Sequence, residues 1–278
     1  MMEALFDKLN ARSIDYNRVM GRPMSAIGKV QFSCPRHGEY MATGTRLASR
    51  DIWTSCPGCK QDRENQEAAE KAKLAARMEA QAKSARLQQA AIPQRFIERT
   101  LDTFKATTPE QQHAFRIATD FASNFEAHYK KGSWLVFSGL PGTGKSHLAA
   151  GILQAIMPAY LGKYFTCMEV IQYIRSTWRK ESEASEVDVL SEFASLPLLV
   201  IDEIGMQYGT ESEQNHLFDV LDRRYRDMMP TILLTNQNKD GFRQYVGDRI
   251  YDRMTECARW VPFAWDSYRP TARREICE

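Results

Sequence analysis

Long apolar runs and a strong net charge are both missing from this sequence of 278 residues. No stretch approaches the ~20 apolar residues of a membrane-spanning helix. The charged residues 1–23 contain no apolar core of the kind that a signal peptide needs. We therefore expect a cytoplasmic protein with no membrane partner. The formal net charge is only +2, so composition by itself does not indicate a nucleic-acid partner, although it allows a local basic groove.

Glycine and proline are absent from residues 60–91, which are rich in Ala, Glu, Lys, Gln and Arg. This composition predicts one long helix, which Pro93 would end. Most of its apolar residues are alanines, so we interpret it as a solvated helical linker, with a partner-binding helix as the alternative. The predicted division is a small N-terminal domain over 1–60, the linker over 61–91 and a larger domain over 92–278.

The larger domain alternates helix and strand patterns. Thr108, Pro109 and Gln111 form a capping-box start, followed by apolar residues at helical spacing as far as Gly132. Short apolar runs then alternate with helices: WLVFSG, KYFTCM, LPLLVIDE, TILLTN and RWVPFAW. Such runs without polar alternation are typical of parallel strands covered on both faces. The predicted fold class is therefore α/β, with a parallel sheet flanked by helices.

A glycine-rich phosphate-binding motif joins the first of these strands to an amphipathic helix. Backbone N–H groups in such a loop point at phosphate oxygens. Its lysine reaches the β- and γ-phosphates, and its serine hydroxyl ligates Mg²⁺. The pattern predicts ATP as the ligand. The predicted nucleotide-binding residues are Gly139, Pro141, Gly142, Thr143, Gly144, Lys145, Ser146 and His147.

Two adjacent carboxylates end the apolar run LPLLVIDE, fifty-seven residues after Lys145. Asp202 is predicted to hold Mg²⁺ through water, with Ser146 as the other protein ligand, and Glu203 to orient or deprotonate the attacking water. Asn236 ends the next strand, which we expect between the strands of the phosphate loop and of Asp202. There its amide can hydrogen-bond the water or the γ-phosphate. The predicted activity is hydrolysis of ATP to ADP and phosphate; the alternative is an adaptor that binds ATP with negligible hydrolysis.

Arginines are frequent near the C-terminus, and arginine stabilises charge in phosphoryl transfer, often from a neighbouring subunit. Arg249 and Arg253 lie four residues apart, so they are predicted to share one face of a helix. For any one of these residues a solvated surface position is the default interpretation. The spacing does not choose among the four candidates, Arg249, Arg253, Arg259 and Arg269.

The segments IPQRF, GLPGTGKSHLA, LLVIDEIG, LLTNQN, GDRIYDRM and WDSYR, in this order, resemble the DnaC/DnaI-type replicative helicase loaders, a branch of the AAA+ ATPases. The resemblance covers about residues 92–270. It implies that Arg253 is an arginine finger for an adjacent protomer, that Arg269 is the sensor-2 arginine and that Asn236 is sensor 1. Self-association would then occur through the ATPase domain.

The same resemblance implies a biological role. Proteins of this family load the ring-shaped DnaB-type hexameric helicase onto single-stranded DNA at a replication start, and ATP controls release. Phage and prophage versions are common, so a viral or prophage origin is compatible with the sequence. The ATPase helpers of insertion-sequence transposases share the same core and act on duplex DNA. They are the alternative, and WDSYR argues against them.

Four cysteine and histidine residues form two tight pairs upstream of the ATPase motifs. Two residues separate Cys34 from His37, and two separate Cys56 from Cys59. Disulfides are rare in a reducing cytoplasm, and this spacing is close to that of two-knuckle zinc sites. Three thiolates and one imidazole complete a tetrahedron, which predicts a structural Zn²⁺. A redox pair at Cys56 and Cys59, or unrelated buried cysteines, are the alternatives.

A bound zinc would supply folding free energy that so small a segment lacks. The N-terminal region does not resemble the DnaC pattern, but DnaI-type loaders carry a zinc-bearing N-terminal domain that docks on the helicase. That likeness implies that residues 1–60 form a docking module for the partner. A zinc ribbon that grips DNA is the rival interpretation.

Overall fold

The computed structural model describes residues 25–47, 50–157, 159–179, 183–205 and 211–270. The chain divides into two compact units, residues 1–80 and 81–278. This division falls inside the predicted linker, so the predicted boundaries at 60/61 and 91/92 do not coincide with it, and the three-part division stays a prediction. Among the described helices none is long and apolar enough to cross a membrane.

Three antiparallel strands and the start of a long helix form the N-terminal unit. The strands are β1 (Ser25–Cys34), β2 (Gly38–Leu47) and β3 (Arg50–Trp53), in the order β1-β2-β3. Phe32 pairs with Tyr40, and Trp53 pairs with Gly44. One face of the sheet therefore carries the aromatic residues. Val30 and Phe32 nevertheless remain 45% and 39% exposed, so this unit has only a small core.

The helix predicted over 60–91 is α1 (Pro57–Gln89), which confirms the prediction from composition. Its middle is polar and exposed, as expected for alanines and charged residues. Its end is different, because Leu87, Ala90 and Ile92 are buried in the core of the C-terminal unit. The last turn of α1 and the residues after it are therefore part of that unit, and not a solvated linker.

The C-terminal unit is built on five parallel strands in the order β5-β6-β7-β4-β8. This sheet and its flanking helices confirm the predicted α/β class. The position of β7 between β6 and β4 confirms the predicted place of the strand before Asn236. The strands are β4 (Trp134–Gly139), β5 (Gly162–Thr166), β6 (Leu198–Ile204), β7 (Thr231–Thr235) and β8 (Ala258–Phe263).

Helices cover both faces of this sheet. Leu135 and Phe137 of β4 are buried in one core cluster, and Trp134 and Val136 are buried in the other. Strands buried on both faces need apolar residues at every position, which explains their unbroken apolar runs. The described helices are α2 (Pro109–Ser123), α3 (Phe125–Lys131), α4 (Lys145–Ile156), α5 (Cys167–Ser176), α6 (Glu186–Ser195), α7 (Glu211–Arg226), α8 (Lys239–Val246) and α9 (Asp248–Cys257).

Two element boundaries differ from the prediction. The single helix expected from Pro109 to Gly132 is broken at Asn124, which ends α2 and begins α3, although the capping box at Thr108 is confirmed. The strand expected over KYFTCM ends at Thr166 instead. The Thr166 side chain caps α5 in a second capping box with Glu169. A Thr-x-x-Glu start therefore overrides the strand propensity of the residues after it.

A fully buried arginine holds three segments of the C-terminal unit together. Arg224 of α7 donates hydrogen bonds to the carbonyl oxygens of Phe193, Leu196 and Pro230, and to Thr231 Oγ1 at 2.9 Å. The guanidinium thereby pairs with carbonyls that the end of α6 leaves without a helical partner, and adds a second donor to the Pro230 carbonyl, which also accepts from the Leu199 N–H. Its charge is compensated by hydrogen bonds, as burial of such a group requires.

Candidate nucleotide site and Cys/His cluster

The predicted ATP-site residues meet at one edge of the parallel sheet. Gly139 ends β4, Asp202 and Glu203 lie near the end of β6, and Asn236 follows β7. The carboxyl ends of parallel strands share one edge, where open α/β sheets bind their ligands. The sheet order therefore brings together residues that are almost a hundred positions apart in the sequence.

The phosphate loop connects β4 to α4 and folds back on itself. Gly142 has φ +83°, and a Cβ atom there would lie 2.0 Å from Ser267 Oγ, so this position requires glycine. Lys145 Nζ donates to the carbonyl oxygens of Gly139 at 2.6 Å and Leu140 at 2.9 Å. The lysine thus lies across the loop, where a bound phosphate would compete for its ammonium group.

Burial lowers the pKa of Lys145 to about 8; the charge of Asp202 opposes this shift and that of Arg269 reinforces it. Arg269 also lines a cavity of about 180 Å³ together with Gly144, Lys145 and Ser146. Two cationic side chains around the loop create a site that favours a polyanion. The structure therefore brings the predicted sensor-2 arginine to the phosphate loop of its own chain.

Asp202 is fixed through both of its carboxylate oxygens. Ser146 Oγ donates to Oδ2 at 2.8 Å, the buried Tyr164 hydroxyl donates to the same oxygen, and the Glu203 N–H donates to Oδ1 at 2.7 Å. Oxygen ligands of this kind, used together with substrate phosphates, are what Mg²⁺ takes in proteins. The contact between Ser146 and Asp202 thus fits the predicted pair of Mg²⁺ ligands.

Glu203 adopts a left-handed backbone conformation with φ +62°, which is uncommon outside glycine and asparagine. The pairing of β6 with β7 shifts register between Ile201 and Ile204, around this residue. Burial raises the pKa of Glu203, and the charges of Asp202 and Glu169 raise it further. Strained backbone and a raised carboxylate pKa are both features of catalytic bases.

Asn236 lines a cleft of about 500 Å³ with Ser138, Gly139 and Leu140. The residue after it is tied to the strand before the phosphate loop, because Ser138 Oγ donates to the Gln237 carbonyl oxygen at 2.7 Å. The structure therefore places the predicted sensor-1 residue beside the phosphate loop.

A second cavity beside the loop was not anticipated from the sequence. It has a volume of about 270 Å³, and its lining includes Phe104, Thr143, Trp265 and Tyr268. Trp265 Nε1 donates to the Thr143 carbonyl oxygen, and the Tyr268 N–H donates to that of Gly142, both at 2.9 Å. The WDSYR motif is thus bound to the loop backbone. The aromatic residues of this motif, next to the predicted arginine, are the sequence feature that could have indicated the pocket.

His147 was predicted as a nucleotide-binding residue, and it lines both cavities. Its Nε2 lies 2.9 Å from the Thr100 carbonyl oxygen and 3.1 Å from Thr103 Oγ1, and its ring meets Phe104 edge-on. Burial lowers the pKa of His147, which favours the neutral ring. Its direct contacts hold residues 100–104 against α4, so any nucleotide contact is additional to this role.

The other candidate arginines lie away from these cavities. Arg253 of α9 forms an ion pair with Asp222 of α7 and lies over the Tyr225 ring, 5.3 Å from its centre. Arg249 lies over the Phe218 ring of the same helix at 5.3 Å. Both arginines therefore share one helix face, as predicted. Arg253 is not among the residues that line the cavities described above. Its predicted role at the nucleotide of a neighbouring protomer stays a prediction.

The predicted zinc ligands come together in the N-terminal unit. One ligand atom from each of Cys34, His37, Cys56 and Cys59 lies within 4.8 Å of all the others. The Sγ atoms of Cys34 and Cys59 are 3.5 Å apart, and His37 Nδ1 is 3.7 and 3.4 Å from them. A tetrahedral zinc site with ordinary bond lengths has edges of about 3.8 Å between sulfurs and about 3.6 Å from sulfur to nitrogen. The cluster thus has the size that zinc requires.

Two further residues shape this cluster, and neither was singled out from the sequence. Asp62 Oδ2 lies 3.2 Å from His37 Nε2, so it can accept a hydrogen bond from the ring N–H and orient Nδ1 toward the sulfurs, as carboxylates do behind metal-binding histidines. Gly58 lies against the His37 ring, where a Cβ would be 2.5 Å from Cγ. In a polar helix, an aspartate three residues after Cys59 looks like any other solvated residue.

The thiols of the cluster differ in acidity. The Arg36 N–H and the His37 ring lower the pKa of Cys34 to about 6. The hydrogen bond with the Cys34 sulfur raises the pKa of Cys59 to about 11. One thiolate is therefore readily available at neutral pH, and a metal ion would displace a proton from Cys59 on binding.

A parallel sheet with a phosphate loop, an acidic pair on β6 and a polar strand end between them defines a P-loop ATP-binding protein of the AAA+ class. The chain belongs to the family of IstB-like ATP binding proteins, whose profile matches residues 66–276. That match begins after the Cys/His cluster. It covers the whole ATP site.

Individual relatives place the chain with the DnaC type within this class. It is 33% identical over 174 residues to the replicative helicase loader DnaC of Escherichia coli K12, spanning 61% of this chain and 69% of that protein. A crystal structure of the DnaC helicase loader matches with a TM-score of 0.56 and 22% identity, over 61% of this chain and 99% of that one. A crystal structure of DnaI matches with a TM-score of 0.51 and 18% identity, over 61% and 93%. The predicted DnaC/DnaI-type resemblance and AAA+ fold are thus confirmed.

Proposed function

We propose that this protein is an ATP-dependent loader that places a DnaB-type hexameric helicase on single-stranded DNA during replication initiation in the cytoplasm. The observation that carries the proposal is the meeting of Lys145, Ser146, Asp202 and Glu203 at one sheet edge in a chain of DnaC type. The Escherichia coli relative of this chain is a replicative helicase loader.

ATP would occupy the two cavities beside the phosphate loop. The base and ribose fit the cavity of about 270 Å³ near Phe104, Trp265 and Tyr268, whose aromatic rings suit a flat heterocycle. The phosphates would follow the loop toward Lys145, which exchanges its two carbonyl acceptors for phosphate oxygens. This exchange restores full charge to a lysine whose pKa burial lowers, because a polyanion favours the ammonium form.

Hydrolysis would depend on the carboxylates of β6. Ser146 and Asp202 would hold Mg²⁺, which neutralises charge on the β- and γ-phosphates when bound. Glu203 would orient the attacking water and take its proton, a task for which its raised pKa suits it. The Asn236 amide, beside the loop, would hold the water or a γ-phosphate oxygen.

The arginines divide between two protomers in this proposal. Arg269 would contact the γ-phosphate of its own chain, because it already lines the phosphate cavity. Arg253 would reach the nucleotide of an adjacent protomer after self-association through the ATPase domain. Its side chain is only 23% exposed and is held by Asp222, so the guanidinium has a restricted orientation.

The N-terminal unit would bind Zn²⁺ through Cys34, His37, Cys56 and Cys59 and dock on the helicase. Its sheet exposes several large apolar side chains, and such patches are typical of surfaces that bind proteins, whereas surfaces that bind nucleic acid are polar and positively charged. A protein partner is therefore favoured over DNA as the occupant of this sheet. The exposed residues are Ile27, Val30, Phe32, Met41 and Ile52.

A second function is supported by the family match, which is to IstB-like ATP binding proteins. ATPase helpers of insertion-sequence transposases would use the same site on duplex DNA. They differ from a loader in their partner and not in their ATP chemistry, so the test has to compare partners.

Native mass spectrometry with a DnaB-type hexamer tests the loader proposal. The Glu203→Gln protein, mixed with helicase, ATP and Mg²⁺, should form a complex of defined mass, because it holds ATP without hydrolysing it. Lys145→Ala, which removes the phosphate contact, is the matched control and should not respond to ATP. Wild type should hydrolyse ATP at least about 100-fold faster than Glu203→Gln, the usual contribution of a general base.

Each alternative has its own outcome in this experiment. Equally slow hydrolysis by wild type and Glu203→Gln would support the non-hydrolysing adaptor. Absence of a helicase complex, together with ATP-dependent binding of duplex DNA, would support the transposition helper. The mass of the free chain also reports whether one zinc ion is bound.

A further inference from the structure

A buried tyrosine holds the carboxylate that is proposed to bind Mg²⁺. The Tyr164 hydroxyl donates to Asp202 Oδ2, the same oxygen that receives the Ser146 hydroxyl. Tyr164 is only 2% exposed. The phenol therefore has no competing water, and Asp202 is its hydrogen-bond acceptor at the centre of the ATP site.

The position of Tyr164 follows from the sheet. β5 runs parallel to β6 with Tyr164 beside Val200 and Thr166 beside Asp202. A tyrosine two residues before the level of Asp202 has the length to reach that carboxylate along the strand direction. Its side chain packs in the core cluster that contains α4, the helix that carries Ser146.

Contacts from the residues after α1 keep Tyr164 in place. Its backbone N–H donates to the Ala90 carbonyl oxygen at 2.9 Å, and its ring centre lies 6.0 Å from that of Phe96. Backbone and ring are thus both held, so the hydroxyl has little freedom to leave Asp202.

The chemistry of this contact is that of a permanent donor. A tyrosine phenol has an ordinary pKa of about 10, so the buried hydroxyl keeps its proton at neutral pH and donates to Asp202. A neutral donor on Oδ2 and the Glu203 N–H on Oδ1 fix the carboxylate plane without cancelling its charge. The Ser146 hydroxyl can then turn its oxygen toward a cation, while Asp202 remains oriented.

We propose that Tyr164 is a positioning residue for the cation site: its hydroxyl holds Asp202 in the orientation that accepts Mg²⁺ with the nucleotide. This inference rests on the proposed Mg²⁺ role of Asp202 and adds a residue outside the phosphate loop and the acidic pair. A tyrosine that merely fills the core would have no influence on cation affinity.

The test compares nucleotide binding with and without the cation in Tyr164→Phe, which removes one oxygen atom. The affinity for a fluorescent ADP analogue is measured in Mg²⁺ and in EDTA, and the ratio of the two affinities reports the contribution of the cation. Removing a group that orients a metal ligand typically costs 10- to 100-fold. We expect the ratio to fall at least about 10-fold in Tyr164→Phe, with binding in EDTA unchanged.

A direct readout is the binding of Mn²⁺ to the ADP complex, followed by electron paramagnetic resonance, which should weaken by the same factor. Tyr160→Phe is the matched control, because Tyr160 packs against the same core cluster and its ring contacts Phe125 and Tyr129, at 4.9 and 5.5 Å between ring centres. It should leave the ratio unchanged. Thermal melting of both variants shows whether they fold.

The outcomes separate this inference from the proposed function. A wild-type ratio near one would mean that no cation acts at Asp202, and the proposed ATP site itself would fail. A large wild-type ratio that Tyr164→Phe preserves would overturn the positioning role alone. An equal loss of binding in Mg²⁺ and EDTA would also overturn it, because the hydroxyl would then support the fold and not the cation.

Discussion

Substituting Gly58 by alanine should damage the zinc site through a single ligand. The added Cβ would lie 2.5 Å from His37 Cγ and 3.0 Å from Nδ1. Carbon atoms in normal contact are at least about 3.5 Å apart, so the ring has to move by about 1 Å. Metal–ligand distances tolerate only about 0.2 Å. We therefore expect His37 to lose the position that its contact with Asp62 provides.

The expected loss is about 100-fold in Zn²⁺ affinity, the upper end of the effect of disturbing the orientation of a ligand. The helix is not the cause, because alanine inside a helix is about 1 kcal/mol better than glycine. Competition with a chromophoric chelator measures the affinity. The absorption spectrum of the Co²⁺-substituted protein shows whether a tetrahedral site with three thiolates and one nitrogen survives.

Gly44→Ala is the matched control in the same unit. Its Cβ would meet the Trp53 ring at 2.7 Å, and this partly exposed side chain can move without touching a ligand. We expect nearly wild-type zinc affinity in this variant. If Gly58→Ala binds zinc as tightly as Gly44→Ala with an unchanged Co²⁺ spectrum, His37 is not a ligand and the four-residue site is wrong.

Three further predictions concern the C-terminal unit. Arg224→Met should destabilise it by at least about 3 kcal/mol in urea unfolding, because several buried carbonyl oxygens lose their donor; an unchanged midpoint would contradict this. The ATPase rate should fall as pH decreases through the raised pKa of Glu203, and Glu169→Gln, which removes one cause of that shift, should move this acid limb to lower pH. Asp222→Asn should slow ATP hydrolysis in the assembled protein and leave ADP binding intact, because it removes the ion pair that orients Arg253. Equal hydrolysis rates in concentrated wild type and variant would contradict the hypothesis that Asp222 orients Arg253 as an arginine finger.

Much of the ATP site could be predicted because its residues belong to short motifs, each of which is contiguous in the sequence. Glycine spacing sets the loop, and a strand ending in Asp202 and Glu203 is visible as an apolar run before two carboxylates. The place of Asn236 followed from the order of parallel strands. The motifs and the expected order of the parallel strands were therefore sufficient to predict that these residues lie near one another.

The remaining features depend on contacts between distant residues. Tyr164 has the sequence appearance of an ordinary core residue, and only the register of β5 with β6 brings it to Asp202. Trp265 and Tyr268 form a pocket because their segment folds back on the phosphate loop. Leu87, at the end of α1, is buried in the core. The composition of this helix, mostly alanine and charged residues, gave no indication of that burial.

Arg253 combines a contact within one chain with a predicted role between chains, and its chemistry allows both. A guanidinium has five N–H donors in a planar fork, so the edge that faces Asp222 and the face that lies over Tyr225 leave other donors for a phosphate. A free arginine carries about 2 kcal/mol of rotamer entropy, part of which the two contacts have already removed. Binding of an adjacent nucleotide would therefore remove little further rotamer entropy from this arginine. The ion pair with Asp222 supports the arginine-finger hypothesis and does not contradict it.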